Sequence, residues 1–322
     1  MRALFSLLLP LFLIGDILKI CNYNVENLFD LNLDGSEYIE FKDKKRWNSS
    51  SFNKKLKNIS RVICDLDCDI LALEEIENKN ALKALLKILK DQNCNYPYYA
   101  ITNNKNQAIN SALISKVKIL NSSSIKVDRG RLRSILEVSL NSSMPLKIFV
   151  NHWSSQKNGE EKRKIFAKAL KNRLKELPKG SEYILIGDFN TDYKKSEVVG
   201  YSALDNILDT KLNGRYLRIR DKVNGFYHYN LWLELPYFKR WSYSFFGKKE
   251  ALDAILIPPS LNDNRNWSYI KGSFGVFKRD YLFKNGYIKR WRMGKNGGGY
   301  SDHLPIYAYF KNNNPSFLER LQ

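Results

Sequence analysis

Tyr183-Ile184-Leu185-Ile186-Gly187-Asp188-Phe189-Asn190 is the stretch on which the fold turns. Its first four residues are apolar and partly β-branched, the composition of a buried strand. A carboxylate and an amide follow at once. A core strand does not tolerate a carboxylate without a partner, and ligand sites in open sheets gather at strand ends. The stretch therefore predicts a strand that delivers Asp188 and Asn190 to a polar site.

The same pattern recurs on both sides. Asn24 follows the run Leu18–Tyr23, Glu74 and Glu75 follow Ile70–Leu73, and Asn151 and His152 follow Ile148–Val150. Asp253 lies between Leu252 and Ala254–Ile257, and Asp302 and His303 precede Leu304-Pro305-Ile306. Each has a plain reading of its own. Asn24 can cap a turn, Glu75 can sit at a helix N-terminus, Asp188 can close an Asx-turn, and His152 can be a satisfied core histidine. Taken together they form a coherent chemical set of carboxylates, amides and imidazoles. Oxygen donors suit Mg²⁺, Mn²⁺ or Ca²⁺ rather than zinc, and two imidazoles beside carboxylates suit proton transfer near neutral pH. No Ser or Cys stands at an obvious nucleophile elbow. His228, in an aromatic-rich stretch, reads as a loop residue.

Strand-like runs are expected at Ile17–Tyr23, Asp69–Leu73, Ala112–Leu120, Ser134–Leu140, Leu146–Val150, Tyr183–Ile186, Leu252–Ile257 and Leu304–Phe310. Helical apolar faces run through Leu56, Ile59, Val62, Ile63 and Leu66, through Leu82, Leu85, Leu86 and Leu89, and through Ile165, Phe166, Ala169, Leu170, Leu174 and Leu177. Strands outnumber helices without strict alternation, which predicts a layered α/β sandwich rather than a doubly wound sheet. With no internal repeat and no long linker, residues 17–322 read as a single catalytic domain. Residues 210–250 are irregular and aromatic-rich, and residues 294–299 form a Gly-rich loop that is not a Walker P-loop.

The chain of 322 residues is 43% hydrophobic and 13% aromatic, which excludes a disordered protein. Its formal net charge of +20 and pI near 9.6 make nucleic acid, an anionic membrane or an acidic glycan the candidate partners. Residues 1–16 carry Arg2 and an apolar run too short to span a bilayer comfortably. They read as a signal peptide, with a retained N-terminal anchor as the other reading. An exported protein, periplasmic or extracellular and without a membrane span once processed, is expected. In that setting Cys64 or Cys68 can pair with Cys94, and Cys21 reads as a small buried hydrophobe. The cysteine spacings do not fit a zinc site.

Tyr23-Asn24-Val25-Glu26-Asn27-Leu28-Phe29, Leu71-Ala72-Leu73-Glu74-Glu75-Ile76, Asn151-His152-Trp153, Gly187-Asp188-Phe189-Asn190, Leu252-Asp253-Ala254-Ile255 and Ser301-Asp302-His303-Leu304-Pro305 fall in one order along the chain. This ordered set resembles the endonuclease/exonuclease/phosphatase superfamily, which includes deoxyribonuclease I, exonuclease III and the secreted sphingomyelinases. The resemblance covers about residues 17–310. It implies a four-layered α/β sandwich, two mixed β-sheets packed face to face and flanked by helices. It also implies a divalent-metal-dependent phosphodiesterase. Carried over by position, Glu75 is the main ligand of the cation, with Mg²⁺ first and Mn²⁺ or Ca²⁺ as alternatives. Asn24 and Asp302 belong to the same ligand cluster. Asp188 orients or deprotonates the attacking water, and Asn190 holds the scissile phosphate. His303 binds a phosphate oxygen or acts as acid/base, with Asp253 fixing its tautomer, and His152 is the second imidazole. Glu74 stands where many relatives have Gln. The glutamate that supports the His152 equivalent in deoxyribonuclease I-like enzymes has no counterpart here, where the preceding region offers Gln107, Asn106 and Asn110. His152 is therefore expected to be less basic.

The resemblance also implies that Arg133 matches a phosphate-contacting Arg of some relatives, and the basic–aromatic knots at Arg240, Trp241 and Tyr243 and at Arg290 and Trp291 are expected to line a substrate rim, phosphate contact beside base stacking. The lysines of the helix near 162–175 read mostly as a solvated face. The expected activity is a low-specificity, monomeric endonuclease acting on nucleic acid, DNA before RNA. The alternative within the same superfamily is a phospholipid phosphodiesterase or phosphoinositide phosphatase, with the aromatics near 226–246 meeting a membrane.

Overall fold

The computed structural model describes residues 17–104, 107–142, 145–294 and 297–313; residues 1–16, with the expected signal segment, lie outside them. The helices include α1 (Ile39–Lys42), α2 (Ser49–Leu66), α3 (Lys79–Asp91) and α4 (Gly159–Lys175). Their ends follow from local chemistry. The Asn48 side chain accepts from the Ser50 and Ser51 amides to start α2, and Asn78 accepts from Asn80 and Ala81 to start α3. Asp67 in the left-handed region ends α2.

The strands form two large mixed sheets. The first is ordered Trp267–Tyr269, Ile306–Asn312, β1 (Ile17–Leu28), β2 (Ile70–Ile76), β4 (Asn110–Ser115) and β3 (Tyr98–Ile101). The second runs Tyr229–Asn230, Asp253–Ile257, β8 (Tyr183–Asp188), β7 (Leu146–His152), β6 (Ile135–Leu140) and β5 (Ile119–Ile125). Only β1 with β2 and β7 with β8 run parallel in these sheets. The expected sandwich of two packed mixed sheets with helices outside is what the molecule adopts.

Side-chain alternation explains the layers. Along β1 and β2, Ile20, Ile70 and Ala72 join the core shared with Ile148, Val150, Ile184, Ile186 and Ile255 of the other sheet. The alternate residues Cys21, Tyr23, Val25, Leu71 and Leu73 face the other way and pack with Leu56, Ile59, Ile63, Leu82 and Leu85 of α2 and α3. On the outer side of the second sheet, α4 buries Phe166, Ala167, Leu170 and Leu174, whereas Ile165 is exposed rather than part of that face.

Three expectations need correction. The run Ala112–Leu120 is two strands in different sheets, because Ser115 turns the chain by hydrogen bonding to Val117. The four-residue strand β3 is too short to show a period and was not expected. Cys21 is not a free hydrophobe: it forms a disulfide with Cys68, and Cys64 and Cys94 are free thiols. Cys68 lies just before β2, which pairs with β1, so the two Cα atoms come within 6.2 Å, inside the range a disulfide spans.

No helix among the described residues is long and apolar enough to cross a membrane. The Cys21–Cys68 bond closes a loop of 47 residues, for which loop-closure entropy predicts stabilisation of at most about 4 kcal/mol. Thermal unfolding with and without reductant is expected to show a midpoint several degrees lower when reduced; Cys64→Ser is expected to leave that difference unchanged.

Candidate active site

The topology brings one set of chain ends to one edge of the sandwich. The parallel strands β1, β2, β7 and β8 finish there, and their antiparallel partners Asp253–Ile257 and Ile306–Asn312 begin there. In register, Asn24 faces Glu74, His152 faces Asp188, and Asp253 faces Asp188. Gly187 is required for this closeness. A Cβ at that position would stand 2.0 Å from the Asn151 carbonyl oxygen, and its φ of +139° disfavours a side chain as well.

Strict alternation would send Glu75 to the helix side, opposite to Glu74. It does not, because β2 bulges between Leu73 and Ile76 and Glu75 adopts a φ of 66°. The bulge re-aims its carboxylate into the site. Asn190 is likewise held at φ 50°. Non-glycine residues in this region carry a conformational cost that surrounding structure must offset.

The assembled group lines a cleft of about 990 Å³ that includes Glu75, Arg133, His152, Asp188, Asn190 and Tyr243, together with Asp302 and His303. The Asn24 amide donates to Glu75 Oε1 at 3.2 Å and to Asp188 Oδ2 at 3.1 Å. His152 Nε2 lies 3.7 Å from Glu75 Oε1 and 3.8 Å from Asp188 Oδ2. Asp188 Oδ1 accepts the Asn190 backbone N–H at 2.8 Å, while the Asn190 amide donates to the Trp153 carbonyl at 3.0 Å. His303 Nδ1 bonds to Asp253 Oδ2 at 2.7 Å, and its Nε2 lies 3.9 Å from Asp188 Oδ2. Asp253 is itself fixed by Asn22 Nδ2 at 3.2 Å and Ser242 Oγ at 2.5 Å.

The two imidazoles are electrostatic opposites. Burial pushes His152 well below its ordinary value, and Arg133 and His303 add to this. Its Nδ1 is buried without a hydrogen-bond partner among the described residues, which fits the missing glutamate. Burial also pulls His303 down, but the Asp253 carboxylate more than offsets it and holds the group well above its ordinary value. Burial raises Asp188 to about 7, against the pull of His303. Burial raises Glu75 too, with Asp302 adding to the effect.

Not every expected residue reaches the cleft. Arg133 does, its guanidinium donating to the carbonyls of His152 and Trp153 at 3.1 and 2.5 Å. Tyr243 does, with its ring 4.9 Å from that of His303. Arg240 instead donates to the Leu235 carbonyl at 2.8 Å and does not line the cleft. Trp241 and Trp291 are only 9% and 7% exposed, so neither presents a face for stacking: Lys278 covers Trp241, and Trp291 packs on Trp47. Arg290 donates to Glu26 Oε1 at 2.6 Å and lies 3.4 Å from Asp302. Asn151 serves the core, accepting from the Trp153 indole at 3.1 Å, and His228 lies in a loop, as expected, but is buried there and bonded to Tyr183 and Leu208.

Glu26 is a residue the motif reading passed over. It is buried, raised to about 7 by desolvation and by Asp302, and tied to Arg290 and to the backbone N–H of Trp291. Buried Lys55 donates to the Glu26 carbonyl at 2.7 Å. A charged residue on the apolar face of α2 was the available signal. Asn22, two residues before Asn24 and thus on the same strand face, was another.

Among the described residues no three His, Cys, Asp or Glu side chains converge tightly enough to form a ready ligand cluster. The donor set still suits a hard cation: the partly buried carboxylate of Glu75, with Asp302 lining the same cleft, while Asn24 holds Glu75 through its amide N–H and its oxygen accepts the Glu26 backbone N–H. A cation of the Mg²⁺ type keeps several waters and needs only one or two protein carboxylates.

Residues 19–312 match the family model described as the endonuclease/exonuclease/phosphatase family, and the chain belongs to that family of hydrolases acting on phosphodiester bonds. No curated protein sequence matches the chain. Among solved structures, D. rerio TDP2 complexed with single strand DNA product is similar at 16% identity and a TM-score of 0.58, over 92% of this chain and 99% of that one. A family protein from Leptotrichia buccalis gives 17% identity and 0.56, over 90% and 98%. One from Bacteroides thetaiotaomicron gives 14% and 0.58, over 92% and 98%. These likenesses show a shared fold.

Asp253→Asn removes the charge that holds His303 up. The imidazole should then titrate below its ordinary value, read by NMR of its ring protons. A raised histidine stabilises the fold below its unfolded value near 6.5 and loses that contribution as pH rises through the folded one. The variant should therefore lose most stability on the acid side of neutrality; an unchanged His303 titration would remove Asp253 from this role.

Proposed function

We propose that the protein is an exported, divalent-metal-dependent phosphodiesterase that cleaves nucleic acid as a low-specificity, monomeric endonuclease, with Mg²⁺ as its cation. One observation carries the reading: Glu75, Asp188, Asn190, His152 and His303 line one cleft, with Asn24 hydrogen-bonded to Glu75 and Asp188, and Asp253 to His303. That set fits hydrolysis of a phosphodiester without a covalent intermediate.

In this reading Glu75, with Asn24 and Asp302, holds the cation. A cation held there would supply charge neutralisation at the phosphoryl and leaving oxygens. Asp188, near neutral titration, aligns and deprotonates the attacking water. Asn190, whose amide donates to the Trp153 carbonyl and to Asp188 Oδ2, would turn the second N–H to a non-bridging oxygen. Cationic His303, its Nδ1 taken by Asp253, presents Nε2 to the phosphate. Neutral His152 can donate one hydrogen bond without adding charge beside Arg133. Arg133 and Tyr243 line the substrate's approach. DNA is the favoured substrate, supported by the net charge of +20 and by the single-strand DNA product bound to the D. rerio TDP2 relative. The apolar run after Arg2 supports export.

A second reading, a phospholipid phosphodiesterase of the same family, is favoured by the hairpin Tyr243–Phe245 and Lys248–Glu250. It carries Phe245 and Phe246 at 49% and 93% exposed, with Phe245 at the mouth of the cleft. Release of headgroup from vesicles without nicking of DNA would select it.

Purified protein with Mg²⁺ should nick supercoiled DNA, and EDTA should stop it. Asp188→Ala and His303→Ala should each lower the rate by about 10²–10⁴-fold while DNA binding persists. Nicking that survives EDTA, or either substitution, would overturn the assignment.

A further inference from the structure

Beside the catalytic cleft lie two further cavities whose lining contains cations and no carboxylate. The larger, about 800 Å³, is lined by Lys54, Lys284, Lys289, Arg290 and Arg292 among others. The smaller, about 330 Å³, shares Lys54 and Arg292 and adds Lys45 and Arg46. Together they form one trench. Arg290 joins it to the catalytic cleft, since its guanidinium lies 3.4 Å from Asp302, which lines that cleft.

What sets these cations apart is that they gather in one concavity. On α4, another basic surface, Arg163 pairs with Glu160, Lys164 with Glu161, Lys171 with Asp209, and Arg173 with Glu137, while Lys162, Lys168 and Lys175 are spread along an exposed helix face without a carboxylate partner among the described residues. In the trench, Lys45, Lys54, Lys284, Lys289, Arg46 and Arg292 have no carboxylate partner among the described residues, and all six are exposed. Like charges gathered in a concavity raise one another's energy, and the local field concentrates anions there. The positive end of the α2 dipole opens on the smaller cavity through Ser50 and Ser51, adding to that field.

The Gly-rich segment now has a structural reason. A Cβ on Gly299 would stand 2.0 Å from the Arg290 carbonyl oxygen, and one on Gly297 would stand 2.3 Å from that of Arg292. Arg292 and Gly298 exchange backbone hydrogen bonds at 2.9 and 2.8 Å. Only glycine lets this backbone close on Arg290–Arg292 and form the trench wall.

We propose that the trench is a phosphate track, holding the strand that flanks the scissile phosphate of a nucleic-acid substrate; the proposal rests on the nucleic-acid reading of the cleft. A strand carries one anion per nucleotide and can lie in a concavity. A flat anionic membrane cannot enter one. The track makes turnover depend on substrate length: a short diester reaches the catalytic cleft but not Lys45, Arg46 or Lys54, and an extended strand reaches both.

The test compares the full chain with its Lys45→Ala/Arg46→Ala/Lys54→Ala variant on a thirty-nucleotide single strand and on bis(4-nitrophenyl) phosphate. KM for the long strand should rise about tenfold or more, with turnover of the small diester within about twofold. Binding of the strand, read by fluorescence anisotropy in EDTA, should lose about 2 from the slope of log K against log salt, from three phosphate contacts in a single strand. The variant Lys45→Arg/Lys54→Arg keeps the charge and should behave as wild type. Equal loss on both substrates, an unchanged salt slope, or lost binding to phosphatidylglycerol vesicles with strand binding intact would each overturn the track. If the wild type hydrolyses neither substrate, the functional reading fails, while the anisotropy slope still decides the track.

Discussion

Everything at this site depends on burying several carboxylates where two sheets meet and on keeping them from driving the edge apart. Glu74, Asp188 and Asp253 are almost fully buried, and Glu75 is partly so. Left alone, each would be neutralised or would push its neighbours outward. Both Glu74 oxygens lack a hydrogen-bond partner among the described residues, and burial holds that carboxyl well above its ordinary range; the other three have specific partners. Asp253 is matched by a cationic His303, Asp188 by the Asn190 N–H and the Asn24 amide, and Glu75 by Asn24. Burial still lifts Glu75 and Asp188. The cluster therefore gathers carboxyls raised by burial beside the cationic His303 and Arg133, and in the proposed reading a divalent cation would complete the balance.

The sandwich exists to create that edge. Two parallel strand pairs, one in each sheet, finish at the same end, so backbone register alone sets Asn24, Glu74, His152 and Asp188 near one another. Fine aim then comes from local departures: the bulge at Glu75, the left-handed Asn190, and the glycine at 187 that admits the Asn151 backbone. Such departures cost conformational energy and are tolerated where packing holds them.

Much of this was legible from residues alone. An isolated carboxylate or imidazole at the end of an apolar run is a local signal, and it located Glu75, His152, Asp188, Asp253 and His303. What was not legible depends on tertiary contact. Pairing of Cys21 with Cys68 follows from β1 lying beside β2, which no spacing reveals. Trp241 and Trp291 look like stacking platforms because each stands beside arginine, yet their burial is decided by Lys278 and by Trp47. The Glu26–Arg290 ion pair joins residues 264 apart. The unbroken run Ala112–Leu120 hid a change of sheet, since apolar pattern does not record which sheet a strand joins.

The central claim is that Glu75 anchors one hard cation among these buried oxygens. Mn²⁺ binding to the purified chain, followed by electron paramagnetic resonance, tests it most directly. The account predicts one Mn²⁺ per chain, displaced by Mg²⁺ and lost in Glu75→Gln with the fold intact. Binding undiminished in that variant, or none in the wild type, would contradict it.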